Sequence, residues 1–332
     1  MSLSIMRPGL QDTIQDMGRY GYGSRGINEG GAMDRYAAAA ANMLVGNENG
    51  EAVLEIHFPG PHILFEQNTL ISITGADFTP TLNDHALPMW QPIIIRKNTI
   101  LHFPSLAHGA RCYLAVHGGF DIDKWLNSYS THLKAGAGGF HGRPIQKGDI
   151  LHCRESTFYF AGMMKEGKDY LPLHWRAAYN KPYQLPHEIS FVPGNEWDFL
   201  TDASKEAFTQ SNFIIHPSSD RMGYQIKGEE LQLKEHVELI STGVSFGTVQ
   251  LLPNSQLVIL MADHQTTGGY PRLGHIISAH LPKLAQLRPS DSFRFTAVDV
   301  ATAESLLFSQ VQEQAIIKRA CMDHLNELIC AQ

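Results

Sequence analysis

The chain has 332 residues, of which 43% are hydrophobic, so a disordered chain is excluded and about two domains are expected. The formal net charge of −7, with Arg96-Lys97 as the longest basic cluster, argues against nucleic acid as a partner. The longest apolar run, Leu257 to Ala262, is too short for a membrane-spanning helix, which needs about 20 residues. The N-terminus carries no secretory segment and the four cysteines are scattered, which predicts a cytoplasmic protein with reduced thiols.

Charged residues make up only 18% of the chain, whereas about 25% is usual. Two explanations fit this low value. Part of the surface is covered by another chain, or a β-rich surface carries Ser, Thr and Asn in place of Lys and Glu. Composition alone leaves both open.

Short β-branched and aromatic runs, separated by Gly, Pro and Asn, predict strands along most of the chain. They cover residues 53–58, 70–74, 78–82, 93–95, 99–103, 112–116, 188–192, 213–215, 237–240, 249–252, 257–261 and 293–298. Their spacing of about ten residues favours barrels or sandwiches. The predicted fold is therefore mainly β with a few helices.

Four segments predict helices. Asp34 is suited to cap a helix that runs through the alanines to Leu44 and stops near Gly46. Two further helices are expected over residues 198–208 and 276–287, the latter containing Pro282. From Asp299 onward, Leu307, Val311 and Ala315 recur at i+4 steps and predict an amphipathic helix packed on a barrel.

The domain division follows from a stretch near residues 163–186, which is rich in Pro and poor in periodicity. We expect a first β-barrel with insertions over residues 1–165, a linker over 166–187, a second β-barrel over 188–298, and a helical segment over 299–332. Short motifs recur in the same order in both halves, beginning with Asp34-Arg35 and Asp220-Arg221, and suggest a duplication.

Several short patterns favour a structural interpretation over a catalytic one. Gly243-Val-Ser-Phe-Gly247 fits GxSxG, but a predicted strand follows it where a nucleophile elbow needs a helix. Lys165 follows two methionines, as in biotin-accepting domains, but the second flanking Met is missing, so no biotin is expected on this chain. The run Gly136 to Gly142 matches no phosphate-binding motif. The 17 histidines lack metal-ligand spacing, so no dedicated metal is predicted.

Three segments combine glycines with Asp, Arg, Gln and Thr: residues 15–34, 219–224 and 263–270. Glycines allow backbone to approach a ligand, and the polar side chains supply charge and directional hydrogen bonds. Such a set suits a small polar molecule with amide and carboxylate groups. The alternative is that the Asp-Arg pairs hold the ends of the barrels together.

These segments also carry a family resemblance that spans about residues 5–297. The motifs include Thr13-Ile-Gln-Asp-Met-Gly-Arg19, Gly30-Gly-Ala-Met-Asp34, Tyr113-Leu-Ala-Val-His-Gly-Gly119, Asp220-Arg-Met-Gly-Tyr224 and Gln265-Thr-Thr-Gly-Gly-Tyr-Pro271. The chain resembles the biotin-dependent carboxyltransferase A/B-subdomain family, also called allophanate hydrolase subunit 2-like, which includes the C subunit of 5-oxoprolinase.

The resemblance implies two tandem cyclophilin-like β-barrels and a partner of the C/D-subdomain type, similar to the B subunit of 5-oxoprolinase. It further implies a third subunit and an ATP-dependent amidohydrolase activity that opens 5-oxo-L-proline to L-glutamate. ATP would be a cosubstrate of the complex, and this chain would be inactive alone. Formation of a homo-oligomer is a further option.

The chemistry implied by the resemblance assigns candidate roles to ten residues. Phosphorylation of a lactam oxygen makes the carbon attackable by water, which requires groups that stabilise phosphoryl and carboxylate charge. We predict that Asp34, Asp220, Gln265 and Thr266 are catalytic and that Arg19, Arg111, Arg221, Gly268, Gly269 and Tyr270 bind substrate.

Two alternatives remain open at this point. The chain could be a carboxyltransferase or allophanate-hydrolase-like subunit that acts on urea-like substrates, or a non-enzymatic regulator that binds a kinase-inhibitor partner. The chain also departs from the family pattern: Gln225 stands where Arg is frequent, Ser290 stands where Gly is common, and Asn28-Glu29 replaces a pair that usually contains Pro or Ser.

Overall fold

The computed structural model describes residues 2–154, 163–164, 166–178, 183, 188–235 and 237–330. The chain divides into two compact units. Unit 1 consists of Met1–Arg19, Asp34–Tyr179 and Gln312–Gln332, and unit 2 of Tyr20–Met33 and Asn180–Val311. Lys165, which follows two methionines in the sequence, lies outside the described residues.

Unit 1 is built from two six-stranded sheets. Its strands are β1 (Ser2–Arg7), β2 (Thr13–Gln15), β3 (Val53–His57), β4 (His62–Phe65), β5 (Thr69–Asp77), β6 (Thr81–Leu82), β7 (His85–Ala86), β8 (Pro92–Ile95), β9 (Thr99–His102), β10 (His108–Val116), β11 (Ile150–His152) and β12 (Tyr170–Pro172). The strand order is β11-β1-β4-β9-β6-β7 in one sheet and β12-β8-β5-β10-β3-β2 in the other.

One face of β10 is apolar and packs into the core, whereas the other carries polar side chains. Cys112, Leu114 and Val116 belong to the apolar core of unit 1, which is filled from both sheets. Because side chains alternate along a strand, Tyr113 lies on the opposite face. It pairs in register with Glu55 of β3 and Thr74 of β5, so three polar side chains form a row across the sheet.

Helix α1 (Arg35–Leu44) packs on this second face of the sheet, and residues Tyr36 to Leu44 are all buried. Five consecutive alanines allow that close approach, and alanine also has the highest helix propensity. Two hydroxyls of β5 donate to carbonyls of the helix, from Thr74 to Ala37 at 2.7 Å and from Ser72 to Ala41 at 2.6 Å. The predicted cap is confirmed, because the carboxylate of Asp34 accepts from the backbone N–H of Ala37 at 2.9 Å.

Unit 2 contains a closed barrel of seven strands in the order β13-β20-β17-β18-β15-β14-β21. Its strands are β13 (Glu188–Pro193), β14 (Phe213–Ile215), β15 (Gly223–Lys227), β16 (Thr242–Gly243), β17 (Thr248–Leu251), β18 (Leu257–Leu260), β19 (Thr267–Gly268), β20 (Arg272–Ile276) and β21 (Ser292–Ala297). Strands β16 and β19 form a separate two-stranded ribbon. The predicted mainly β fold with few helices is confirmed.

The secondary structure of unit 2 differs from the prediction at three places. The helix expected over 198–208 is α2 (Asp202–Gln210), which starts later because Thr201 caps it by accepting from Ser204 N at 3.2 Å. The helix expected over 276–287 is shortened to α3 (Leu281–Ala285), with Pro282 in its first turn. The strand predicted over 237–240 is wrong, because this stretch is irregular and Ile240 is 89% exposed.

The C-terminal helix α4 (Val300–Cys330) forms as predicted, but the expected packing face is wrong. Leu307 and Val311 are exposed, whereas Cys321 and Leu325 are the buried side chains of the helix. Helical periodicity defines a face without defining what covers it. No described helix of the chain is long and apolar enough to span a membrane.

Candidate functional site

The candidate residues Arg19, Asp34 and Arg111 belong to unit 1, and Arg19 lies beside a network centred on a buried carboxylate. Asp16 accepts hydrogen bonds from the Ser128 hydroxyl at 2.8 Å, from the Tyr129 N–H at 2.6 Å, and from the Gly18 N–H at 2.7 Å. The Ser130 hydroxyl also donates to Asp16. This network fixes the loop Ser128–Ser130 against the end of β2.

Arg19 is 1% exposed and is clamped between a carbonyl and an aromatic ring. Its Nη2 donates to the carbonyl of Ser130, and its guanidinium carbon lies 4.7 Å from the centre of the Trp125 ring. Gly138 packs directly against both groups. A Cβ at this position would lie 2.3 Å from the Ser130 oxygen and 3.4 Å from Arg19 Nη2. The structure thus brings Arg19 together with the glycine-rich turn, although the two are more than 100 residues apart in the sequence.

Asp34 belongs to a second buried polar group at the start of α1. Its backbone N–H donates to the Tyr113 hydroxyl at 2.8 Å, and that hydroxyl donates to Glu55 Oε2 at 2.8 Å. Burial and the neighbouring Glu55 and Asp34 carboxylates raise the pKa of Tyr113 well above its ordinary value. The tyrosine is therefore a neutral hydrogen-bond donor at every physiological pH.

Arg111 lies on the same strand as Tyr113, two residues earlier, and is 7% exposed. Its positive charge opposes part of the rise that burial causes in the pKa of Tyr113, and the pKa stays well above its ordinary value. The start of α1 thus collects a carboxylate at Asp34, a second at Glu55, a neutral donor at Tyr113 and a cation at Arg111. Asp34, Glu55 and Tyr113 are fully buried and linked by hydrogen bonds, and Asp34 also caps α1.

Arg221 of unit 2 is engaged by its own surroundings. Its guanidinium donates to both carboxylate oxygens of Asp263, at 2.8 and 3.0 Å, and to the Gly31 carbonyl at 2.7 Å. Asn28 also donates to the backbone carbonyl of Asp263, at 3.0 Å. These bonds join residues 28–31 to the turn around Asp263 within unit 2.

Asp220 is exposed, and its carboxylate accepts from the backbone N–H groups of Met222 and Gly223 at 2.8 and 3.1 Å. These bonds are typical of an Asx turn. The side chain therefore shapes the turn that leads into β15. Its assignment as a catalytic group stays a prediction.

The segment Gln265–Tyr270 lies at the surface of unit 2. Gln265 is exposed, and Thr266 is half-buried with its carbonyl accepting from Val244 N at 3.2 Å. Gly268 packs on the carboxamide of the buried Gln250, where a Cβ would lie 2.6 Å from Gln250 Nε2. Gly269 and the 43% exposed Tyr270 line a groove of about 770 Å³.

Four residues of these clusters were not among the predicted site residues: Asp16, Glu55, Tyr113 and Asp263. Asp16, Tyr113 and Asp263 stand in motifs or segments named above, and Glu55 stands in the strand predicted over residues 53–58. A carboxylate flanked by apolar residues, as in Leu54-Glu55-Ile56, is the signal that could have indicated a buried polar partner.

Two other patterns are resolved by the structure. The residues that follow Ser245 form the strand β17, so the helix that a nucleophile elbow requires is not present at this position. Among the described residues, no group of three or more His, Cys, Asp or Glu side chains is placed to hold a metal ion.

The comparisons with known proteins agree with this architecture. The family model "Carboxyltransferase domain, subdomain A and B" matches residues 25–297. The chain is 35% identical to the C subunit of 5-oxoprolinase from Escherichia coli, over 94% of this chain and 96% of that protein. It is also 35% identical to the C subunit of 5-oxoprolinase from Haemophilus influenzae, over 89% and 90% of the two chains.

A solved structure shows the same fold within a much longer chain. The urea amidolyase of K. lactis superposes with a TM-score of 0.83 at 25% identity and covers 95% of this chain but only 20% of its own. The strand arrangement, the ordered motifs and the family match over most of the length agree. The chain therefore belongs to the family of carboxyltransferase domains, subdomain A and B.

Proposed function

We propose that the chain is the C subunit of an ATP-dependent 5-oxoprolinase, which opens 5-oxo-L-proline to L-glutamate together with partner subunits. The observation that carries the proposal is the match to the C subunit of the Escherichia coli 5-oxoprolinase, which extends over 96% of that protein at 35% identity. A partner of the C/D-subdomain type and a third subunit would complete the enzyme, and this chain would be inactive alone.

The buried polar groups of unit 1 suit this reaction. The lactam carbonyl is a poor electrophile, and transfer of a phosphoryl group from ATP to its oxygen would make the carbon open to attack by water. The site must then hold the substrate carboxylate and the phosphoryl charge, a task for guanidinium groups in a water-poor environment. Arg19 and Arg111 are both at least nine-tenths buried, and Tyr113, two residues from Arg111 on the same strand, is a neutral donor.

The remaining predicted residues take subsidiary roles in the proposal. In unit 2, Gln265 and Thr266 would orient an amide with the backbone of Gly268 and Gly269, and Asp220 would act as a base or an orienting group. In unit 1, Asp34 would take the latter role. Arg221 would bind the substrate anion in exchange for the Asp263 carboxylate that its guanidinium contacts.

The test is coexpression of the chain with the two partner subunits, followed by an assay of ATP hydrolysis that depends on 5-oxo-L-proline and of L-glutamate formation. We expect activity for the complete set and none when this chain is omitted. Gln265→Ala should lower kcat/KM at least about tenfold if Gln265 orients the substrate amide. Gln210→Ala is the matched control, since both glutamines are exposed. No activity for the complete set would refute the proposal.

A second candidate is a carboxyltransferase component that acts on a urea-like substrate. The structural match to the urea amidolyase of K. lactis over 95% of this chain favours it. The same preparations, supplied with a carboxylated biotin donor and urea, would distinguish the two functions. Carboxyl transfer to urea without any turnover of 5-oxo-L-proline would support the second candidate.

A further inference from the structure

An open groove of about 770 Å³ on unit 2 combines an apolar floor with an acidic rim. Leu231, Leu251 and Pro271 are the buried residues of its lining. Glu235, Glu238 and Tyr270 are exposed lining residues. The volume falls within the usual range of ligand sites, about 300–1,000 Å³, so the groove is large enough to bind a specific group.

The charge of the groove has one sign. Both charged side chains of its described lining are carboxylates, Glu235 and Glu238, and neither forms an ion pair with any residue that the structure describes. The segment from Gly228 to Leu239 also contains Glu229 and Glu230. Its single lysine, Lys234, donates to the carbonyl of Asp198 at 3.0 Å and is not part of the lining. The groove therefore favours a cationic group over an anionic one.

Apolar groups lie exposed beside the groove. Ile240 is 89% exposed on the irregular stretch that follows Leu239, and Tyr270 is 43% exposed. Exposed apolar side chains next to a concave surface with a polar rim are typical of a protein interaction site. A small cationic molecule inside the groove would leave Ile240 uncovered, whereas a protein segment would cover it.

We propose that this groove docks a segment of a partner subunit in which an arginine is flanked by apolar side chains. The inference rests on the proposed function, since that function requires partner subunits. Glu235 and Glu238 would accept from the guanidinium, Tyr270 would offer its ring face to the same group, and the apolar flanks would cover Ile240 and the floor. Arginine fits better than lysine because its planar donors bind carboxylates and stack on aromatic rings.

The test measures the affinity between this chain and the coexpressed partner of the C/D-subdomain type. The double variant E235Q/E238Q should weaken binding at least about tenfold, because it removes charge from the rim without changing its shape. Ile240→Ser should also weaken binding. Glu206→Gln, an exposed glutamate of α2, is the matched control and should leave the affinity unchanged. Raising the ionic strength should weaken the wild-type complex more than the complex of the double variant.

Hydrogen exchange supplies an independent measurement on the wild-type chain. Amides in residues 228–235 and 237–241 should become protected when the partner binds. If the wild-type chain assembles while the double variant binds equally well and these amides stay unprotected, the docking groove is refuted and the proposed function stands. If the wild-type chain binds neither of the two partners, both are refuted.

Discussion

The hydroxyl of Tyr113 donates to Oε2 of Glu55 at 2.8 Å, and both side chains are completely buried in unit 1. The same hydroxyl accepts from the backbone N–H of Asp34, so one oxygen atom joins strand β10, strand β3 and the start of helix α1. A carboxylate buried at this depth is stable only with hydrogen-bond partners. The tyrosine thus links the folding of the sheet to the position of a predicted site residue.

Removal of this hydroxyl should destabilise the chain. Tyr113→Phe takes a donor from a buried carboxylate, and we expect the free energy of unfolding to fall by about 1–3 kcal/mol. Tyr36→Phe is the control, because the Tyr36 hydroxyl is buried without a hydrogen-bond partner among the described residues. Urea unfolding of both variants measures the difference. Equal losses would contradict the role of the Tyr113–Glu55 bond.

The buried Arg221–Asp263 ion pair should contribute far more to the free energy of unfolding than an exposed ion pair. The two side chains are 6% and 13% exposed, and truncation of one partner leaves the other charge buried. Arg221→Ala should therefore cost about 3–5 kcal/mol in unfolding free energy. Lys205→Ala breaks the pair with Asp198, which is 85% exposed, and should cost less than about 1 kcal/mol. Similar losses of unfolding free energy in the two variants would contradict the larger contribution of the buried pair.

The stability of unit 1 should depend on pH through Asp12. Burial raises the pKa of the Asp12 carboxyl to about 7, although the backbone N–H groups of His57 and Gly9 oppose the shift. Between about pH 4 and 7 the folded chain holds a proton that the unfolded chain has released, so stability falls as pH rises, by at most about 1.4 kcal/mol per pH unit.

Asp12→Asn should remove this contribution from the pH dependence of unfolding. The difference between wild-type and variant slopes isolates the contribution of Asp12 from that of every other group. If the two slopes agree between pH 4 and 7, the raised pKa of Asp12 is refuted.

In the glycine-rich turn beside Arg19, alanine should be tolerated at Gly136 but not at Gly139. Gly136 and Gly139 both have positive φ, +60° and +54°, so alanine has a similar backbone cost at each. A Cβ at Gly139 would overlap the Thr131 hydroxyl and lie 3.0 Å from Thr131 Cα, whereas a Cβ at Gly136 would meet nothing within 4 Å.

We therefore expect Gly139→Ala to destabilise unit 1 by about 1–3 kcal/mol more than Gly136→Ala. Thermal unfolding of the two variants provides the measurement. A larger loss for Gly136→Ala would show that the turn relaxes in a way that this geometry does not allow.

Features set by local chemistry could be predicted from the sequence. Asp34 followed by a run of alanines specified a capped helix, and the cap is present. The mainly β fold followed from the spacing of β-branched runs. The strand predicted over 237–240 failed because an apolar run indicates a strand only when a neighbouring strand pairs with it. The prediction that Leu307 and Val311 face a barrel failed for a similar reason, because helical periodicity does not show which surface packs against the helix.

The candidate site shows the same division between local and long-range information. The sequence by itself determined the family, the β architecture, the helix cap and the segments rich in glycine and polar residues. Only the tertiary structure decided three pairings. Arg221 forms an ion pair with Asp263, and Tyr113 links Asp34 to Glu55 by hydrogen bonds. Gly138 packs against Arg19. These pairings connect residues 42 to 119 positions apart along the chain, and no local pattern encodes them. Burial then gives each pairing its strength, because a charge or hydroxyl removed from water depends on the partner that the fold supplies.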